Sequence, residues 1–294
     1  MSGVVHVDQA QLRAQLEKKL PPKVRLFQLE DIPGVMRSRL GWPVAAALME
    51  RWFRGAAFEM PDEMKLSLEK NRLSQLPAAR LDENTVTMAW ALRFPRVHAA
   101  VEQLQANWAS TAGRVQLQKR VLSWRGMRGQ GNWRFGDLNL SAKHLDDTCQ
   151  VNFLNFGRFG DPLDDFYGAM GEATLKVAAS GMVTPKPNGK ATVAIDELGF
   201  YLRDAYDFND DSFISQPLGF WGFEGVERSL QLGRDILIDE RWAYEEAVSA
   251  RASYYLVQNA HFRKWRARHG LGGDFMVLSD VYRVRLPFPI QLEW

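Results

Sequence analysis

The chain has 294 residues, room for one large or two ordinary domains, and 46% of them are apolar, so a sizeable core is expected. Its 37 basic and 35 acidic residues leave a net charge of +2, which excludes a global field drawing it to nucleic acid or an anionic membrane. Cys149 is the one cysteine, which excludes an intramolecular disulfide and C-x-x-C metal or redox motifs; folding in the cytoplasm is expected.

The opening MSGVVHVDQAQLRAQLEKKL has no basic region leading into an apolar stretch, so no Sec-type signal peptide is expected. Within it, residues 8–19 predict a polar helix that Pro21 and Pro22 end. Pro33, just after Asp31, marks another helix start, with a break from Gly41 to Pro43. Beyond the break the apolar spacing predicts a helix whose Leu48, Trp52 and Phe53 point inward. Its window WPVAAALMERWF is the most apolar of the chain, yet Glu50 and Arg51 interrupt it well short of the roughly 20 residues a membrane span needs. No transmembrane segment is expected.

Val97, Val101, Leu104 and Trp108 keep a helical spacing, predicting one helix from about 95 to 122. Near residue 125 the texture changes to glycines, short aromatic runs and alternation. The domain reading is therefore a mainly helical region over 1–124 and a β-rich region over 125–294 with a helix near 239–269, the two intimately packed. CQVNFLNFGRFG reads as a half-buried strand. Two alternating runs around a loop with Pro185, Pro187 and the pair Asn188-Gly189 predict an antiparallel hairpin over 172–204. Leu175, Val177, Val193 and Ile195 share its buried face. QPLGFWGFEGVE reads as a compact aromatic loop, ERWAYEEAVSARASYYLVQNAHFRKWRARHG as a helix over 239–269, and DFMVLSDVYRVRLPF as strand. The fold class is α+β: an N-terminal helical portion packed on a C-terminal curved antiparallel sheet or half-barrel, crossed by a late helix.

The chemistry concentrates in YLRDAYDFNDD at 201–211, which holds Asp204, Asp207, Asp210 and Asp211 at a strand exit. As a calcium loop the stretch fails at its most diagnostic positions, with Ser212 in place of glycine and Leu218 in place of glutamate. A looser divalent site, Mg or Ca on Asp204 and Asp207, needs only convergent oxygens. As catalytic groups Asp204 and Asp207 are three apart, so on a straight strand they point to opposite faces and converge only if the chain bends. With Tyr206 between them and Arg203 before, a bent exit would bring two carboxylates, a phenol and a cation into one cleft, equipment for phosphoryl-ester hydrolysis. The simpler reading is an Asx-rich turn.

In NAHFRKWRARHG, His261 and His269 lie about two helical turns apart, roughly 12 Å, too far to share one metal. Its cations Arg263, Lys264, Arg266 and Arg268 suit a helix C-terminus or an anion contact, and Asp274 and Asp280 stand ready to pair with them. G-x-S-x-G, P-loop, dinucleotide-binding and H-E-x-x-H motifs do not occur.

IPGVMRSRLGWPVAAALMERWF, YLRDAYDFND, QPLGFWGFEG and NAHFRKWRARHGLGGDFMVLSDV together resemble an uncharacterised bacterial family found near type VI secretion and polymorphic-toxin genes. More locally, MGEATLKVAASGMVTPKPNGKATVAIDELGFYLRDAYDF resembles the catalytic half of colicin M-type bacteriocins, in which a hairpin leads into Asp-x-Tyr-Asp. Asp204, Tyr206 and Asp207 match that motif. The resemblance implies a toxin that cleaves the lipid II peptidoglycan precursor between lipid and pyrophosphate with divalent metal assistance. It also implies synthesis in the cytoplasm of a producing bacterium and delivery to the periplasm of a target. Asp204 would lead as nucleophile or metal ligand, with Asp207 its partner and Tyr206 a positioning donor. The family's following basic pair is missing here, so Arg228, His261 or Arg263 is expected to close the site. The rival expectation is a non-enzymatic secretion-associated adaptor, chaperone or immunity protein, whose aromatic surplus forms an interface with an immunity or secretion-apparatus protein.

Overall fold

The computed structural model describes residues 27–65, 72–123, 131–158, 160–186, 190–210, 216–227 and 254–293. The expected helix at 8–19 and the Asn188-Gly189 turn lie outside these residues, as do Asp211 and Arg228. A 3-10 turn at Leu29–Asp31 leads into α1 (Ile32–Val35), with Pro33 in its first turn, where a missing N–H costs nothing. After a π turn at Met36–Leu40, Pro43 opens α2 (Pro43–Arg54). Leu48 and Trp52 of α2 are fully buried and Phe53 nearly so, as the spacing predicts. The amides at the start of α2, which have no partner within the helix, find a distant acceptor: the Asp165 carboxylate takes the N–H of Ala45 at 2.9 Å and of Val44 at 3.3 Å. A carboxylate there both satisfies orphan donors and favours the helix dipole.

Next come α3 (Asp62–Lys65), β1 (Leu81–Asp82), α4 (Met88–Ala91), α5 (Pro95–Asn107) and α6 (Thr111–Ser123). Where the spacing predicts one helix over 95–122, the chain breaks at 108–110, although Val97, Val101, Leu104 and Trp108 are all buried. The break is fixed by Asn152, whose amide donates to the Trp108 carbonyl and the Ser110 hydroxyl, each at 3.1 Å. Gly113 completes it, because a Cβ there would stand 2.1 Å from the Trp108 carbonyl oxygen.

The sheet follows: β2 (Trp133–Phe135), α7 (Ala142–Thr148), β3 (Gln150–Phe156), α8 (Asp165–Met170), β4 (Ala173–Pro185) and β5 (Ala191–Tyr206). After them come β6 (Pro217–Gly222), β7 (Gly225–Glu227), β8 (Tyr255–Gln258), α9 (Asn259–His269), β9 (Phe275–Leu278) and β10 (Tyr282–Glu293). β4 and β5 form the expected hairpin, and Leu175, Val177, Val193 and Ile195 are buried. They are long enough to change partners along their length. β4 pairs β3 near its start and β2 beyond Gly181, and β5 pairs β10 through Phe200 and β9 from Arg203 onward. A register shift at Ser180/Gly181 bends the pair, as a bulge does, and the sheet curls. β1 joins β9 in parallel. The protein is α+β, with its N-terminal helices packed on a curled, largely antiparallel half-barrel that α9 joins late.

Two stretches differ from expectation. QPLGFWGFEGVE forms the β6–β7 hairpin, with β8 on its other side. The helix expected across 239–269 begins only at Asn259, because the β-prone run Tyr255–Gln258 pairs with β6 and Gln258 then closes a capping box with His261. Residues 239–253 are not described.

Buried side chains from both sides of residue 125 form one core, with Trp52, Trp108, Phe135, Phe200 and Phe262 among the largest. Cys149 is fully buried, and burial pushes its thiol up to about 12. β10 is the exception to this packing: Phe288 is 81% exposed and Tyr282 and Ile290 also face solvent. Pro287 and Pro289 sit in its register break, where a missing N–H discourages further strand pairing. Among the described residues no helix is long and apolar enough to cross a membrane.

Gly272 follows α9 with φ +92°, and a Cβ on it would lie 2.6 Å from the buried Trp52 ring. Gly272→Ala is therefore expected to lower stability by about 2 kcal/mol, from backbone strain and overpacking together. A urea titration reads this, and an unchanged midpoint would contradict it.

Candidate functional site

β5 stays straight to Tyr206, because residues 203–206 are held in the ladder by β9 residues 278–275. Side chains therefore alternate through the aspartate triplet. One face is marked by Tyr201 and Arg203, which both reach the Asp146 carboxylate of α7. Asp204 points to the other face with Leu202 and Tyr206. Asp207, at the strand's end, returns to the Arg203 face and pairs with Lys65 of α3 at 3.2 Å. Arg203 Nη2 in turn donates to the Lys65 carbonyl at 3.0 Å.

These placements separate the expected roles. The Asp204 side chain keeps some solvent exposure, yet protein atoms surround its carboxyl, which accepts from the Ala205 amide at 2.9 Å. Burial, with Asp207 adding to it, holds that carboxyl well above the usual range against this one hydrogen bond. Tyr206 is a core residue, its ring stacked on Phe275 at 5.2 Å and edge-on to Phe208 at 5.7 Å. Burial raises its hydroxyl far above the ordinary value, and nearby Asp204 adds to that.

The expected basic partners are engaged elsewhere. His261 Nδ1 accepts from the Gln258 amide at 3.1 Å, capping α9. Arg263 donates to the Phe208 carbonyl at 2.8 Å and pairs with Asp210 at 2.6 Å. Asp210 also accepts from the Gln216 amide and the Asn259 side chain, so its carboxylate is engaged with the protein. Arg266 pairs with Asp274 at 2.6 Å, as the basic run suggested. Among the described residues no three or more His, Cys, Asp or Glu side chains gather where they could hold a metal.

Beside the Arg203–Ala205 end of β5 lies an open cleft of about 560 Å³. Its wall follows from strand register. Asn155, Thr174 and Arg203 align across β3, β4 and β5, and Phe153, Lys176 and Tyr201 form the next row. Thr174 Oγ1 donates to Asn155 Oδ1 at 2.9 Å. Gln116 of α6, Lys65 and, at the end of β5, Asp204 also line the cleft.

The charge at the cleft floor is unusual. The buried Asp146 carboxylate accepts from Lys176 Nζ at 2.7 Å, Tyr201 Oη at 2.9 Å and Arg203 Nη1 at 3.1 Å. Burial would raise Asp146, but the adjacent Lys176 and Arg203 carry it below the usual range. Lys176 is lowered to about 8, because burial and the nearby Arg203 and Arg120 together outweigh Asp146. Lys65 moves the other way: burial opposes its charge, yet Asp207 and Asp62 raise it overall.

Lys65, Asp146 and Lys176 were thus not anticipated, whereas Arg203 was expected as the cation of the strand exit and does line the cleft. The available signal was Lys176 itself, 4% exposed in the fold, a charged residue inside the otherwise uncharged run ATLKVAAS. Charged groups are seldom buried unless paired, so such a position calls for a partner.

No curated protein matches the chain, and no solved structure does. A model of a family of unknown function, DUF6402, matches residues 27–294, and the chain belongs to that family.

Proposed function

We propose that the protein engages a phosphate-bearing substrate in this cleft and hydrolyses the lipid II pyrophosphate linkage as an antibacterial effector. One observation carries the reading: Asp207 of the Asp-x-Tyr-Asp motif is ion-paired with Lys65 beside a cleft also lined by Lys176 and Arg203. A cation thus stands where the motif lacked one. Asp207 is taken as the acting carboxylate because its ion-pair partner Lys65 lines the cleft; Asp204 lines the cleft too, but burial holds its carboxyl well above the usual range. Lys65, Lys176 and Arg203 would offset the pyrophosphate charge, and Tyr206 would brace the strand from the core. Mg²⁺ commonly binds through one or two carboxylates plus substrate phosphates, so Asp207 suits a metal that arrives with the substrate.

Expression directed to the periplasm of a susceptible bacterium is expected to lyse it, and cytoplasmic expression is not. Asp207→Asn is expected to reduce lysis by at least about 100-fold, the scale on which general acid–base groups contribute, with its circular dichroism unchanged. Harmlessness in both compartments, or a fully lytic Asp207→Asn, would remove the hydrolytic reading.

A second reading, a non-enzymatic adaptor, chaperone or immunity protein, is favoured by the exposed Tyr282, Phe288 and Ile290 of β10. On that reading the Phe288→Asp/Ile290→Asp double variant loses its secretion or immunity partner while keeping its fold. Retention of the partner would count against it.

A further inference from the structure

We infer that the floor of the cleft is a subsite for a tetrahedral oxyanion, a phosphoryl group of the ligand, recognised by Lys176 and Arg203 with Thr174 and Asn155 at its side. The inference rests on reading this cleft as the ligand site, but it does not require that any bond be cut.

Three observations point to it. First, the sheet register places Thr174 directly opposite Arg203 and Lys176 directly opposite Tyr201 on neighbouring strands, so two cations and a hydroxyl share one face of the sheet. Asn155 extends the same row from β3, and all these side chains except Tyr201 line the cleft. Second, two cations are held on one carboxylate. Asp146 takes Lys176 on Oδ1 and Arg203 on Oδ2, and its own backbone carbonyl accepts a third cation, Arg120, at 2.9 Å. Taking charges out of water is costly, and like charges brought together add to that cost. Lys176 shows the outcome: burial and the neighbouring cations outweigh Asp146 and bring it down to about 8, so it stays a cation near neutral pH but at a cost. An oxyanion in the cleft would supply the opposite charge. Third, the cations are pre-positioned. Arg203 is fixed at one end to Asp146 and at the other to the Lys65 carbonyl, and Tyr201 anchors the same carboxylate oxygen as Lys176. Little side-chain freedom remains to be lost on binding, which favours affinity.

A buried ion cluster serving stability alone is the competing account, and it makes no provision for the hydroxyl and amide row beside it. Asp146 and Tyr201 act here as positioning residues, whereas Lys176, Arg203, Thr174 and Asn155 touch the anion.

The test uses the full chain, with inorganic pyrophosphate and inorganic phosphate as probes at low millimolar concentration and sodium chloride at matched ionic strength as control. Calorimetric titration and melting temperature are the readouts. Saturable pyrophosphate binding is expected, with a melting-temperature rise that chloride does not give, since a ligand of the native state alone stabilises it. Lys176→Met is expected to weaken binding about tenfold or more, on the scale of a lost charge-assisted hydrogen bond. Thr174→Val, which leaves the ion cluster intact and keeps the test valid if Lys176→Met does not fold, is expected to weaken it about fivefold. Absence of saturable binding by the folded wild type overturns the inference, as does binding that Thr174→Val leaves unchanged. Anion binding by a protein that does not lyse cells leaves the subsite standing and removes the hydrolytic reading. Lysis without anion binding does the reverse.

Discussion

Asp274→Ala is expected to lower unfolding free energy by about 3–5 kcal/mol, the scale of a broken buried ion pair. The carboxylate is fully buried and accepts from Trp52 Nε1 at 2.8 Å, the Met60 amide at 2.9 Å and Arg266 Nη2 at 2.6 Å. It therefore ties α2, the stretch after it and α9 to the start of β9. Alanine would leave a guanidinium without its carboxylate and two N–H donors without acceptors, each of which carries a desolvation penalty. Asp274→Asn keeps an acceptor oxygen and is expected to lose less. Urea denaturation of both variants is the measurement. A loss below about 1 kcal/mol for the alanine variant would show that water replaces the carboxylate, against the enclosure described.

Asp146→Asn is the second large effect, again about 3–5 kcal/mol, because Lys176 and Arg203 would remain buried without their carboxylate. The acid limb of the stability profile adds an independent signature. Asp146 titrates below its ordinary 3.8 in the fold, so its contribution is present above about pH 4 and is lost as pH falls through the folded value. An asparagine side chain has no titrating group, so the variant is expected to show a shallower acid limb. Lys176 works at the other end. At about 8 in the fold against 10.5 in a free chain, it binds fewer protons when folded, so its contribution grows more favourable as pH rises between those values. Equal acid limbs in wild type and variant would contradict the placement of Asp146 at the centre of the cluster.

The hairpin was readable because two residues per repeat suffice to define a strand, and β4 and β5 alternate in the stretches nearest their connection, around 181–184 and 192–197, although their middles are buried on both faces. The helix break at 108–110 was not readable, because the apolar spacing runs straight through it and the side chain that fixes it, Asn152, lies more than 40 residues on. Similarly, PLGFWG reads as a loop from its glycines, and its strand character comes from pairing with Tyr255–Gln258 across a long sequence gap. At the site, the parity of Asp204 and Asp207 was legible, and the straight ladder to Tyr206 decided it. The cation beside Asp207 was not, since Lys65 comes from a four-residue helix over 140 positions earlier. Neither was Asp146, whose partners lie on two other elements. Long-range pairing assembled the charge cluster, and local pattern carries no record of it.

The burial of Cys149 bears on where such a chain can work. Thiol–disulfide exchange requires an accessible thiolate, and a fully buried sulfur raised to about 12 offers almost none near neutral pH. The folded protein should therefore keep this thiol free whether its surroundings are reducing or oxidising. A journey between two such compartments would leave no disulfide behind.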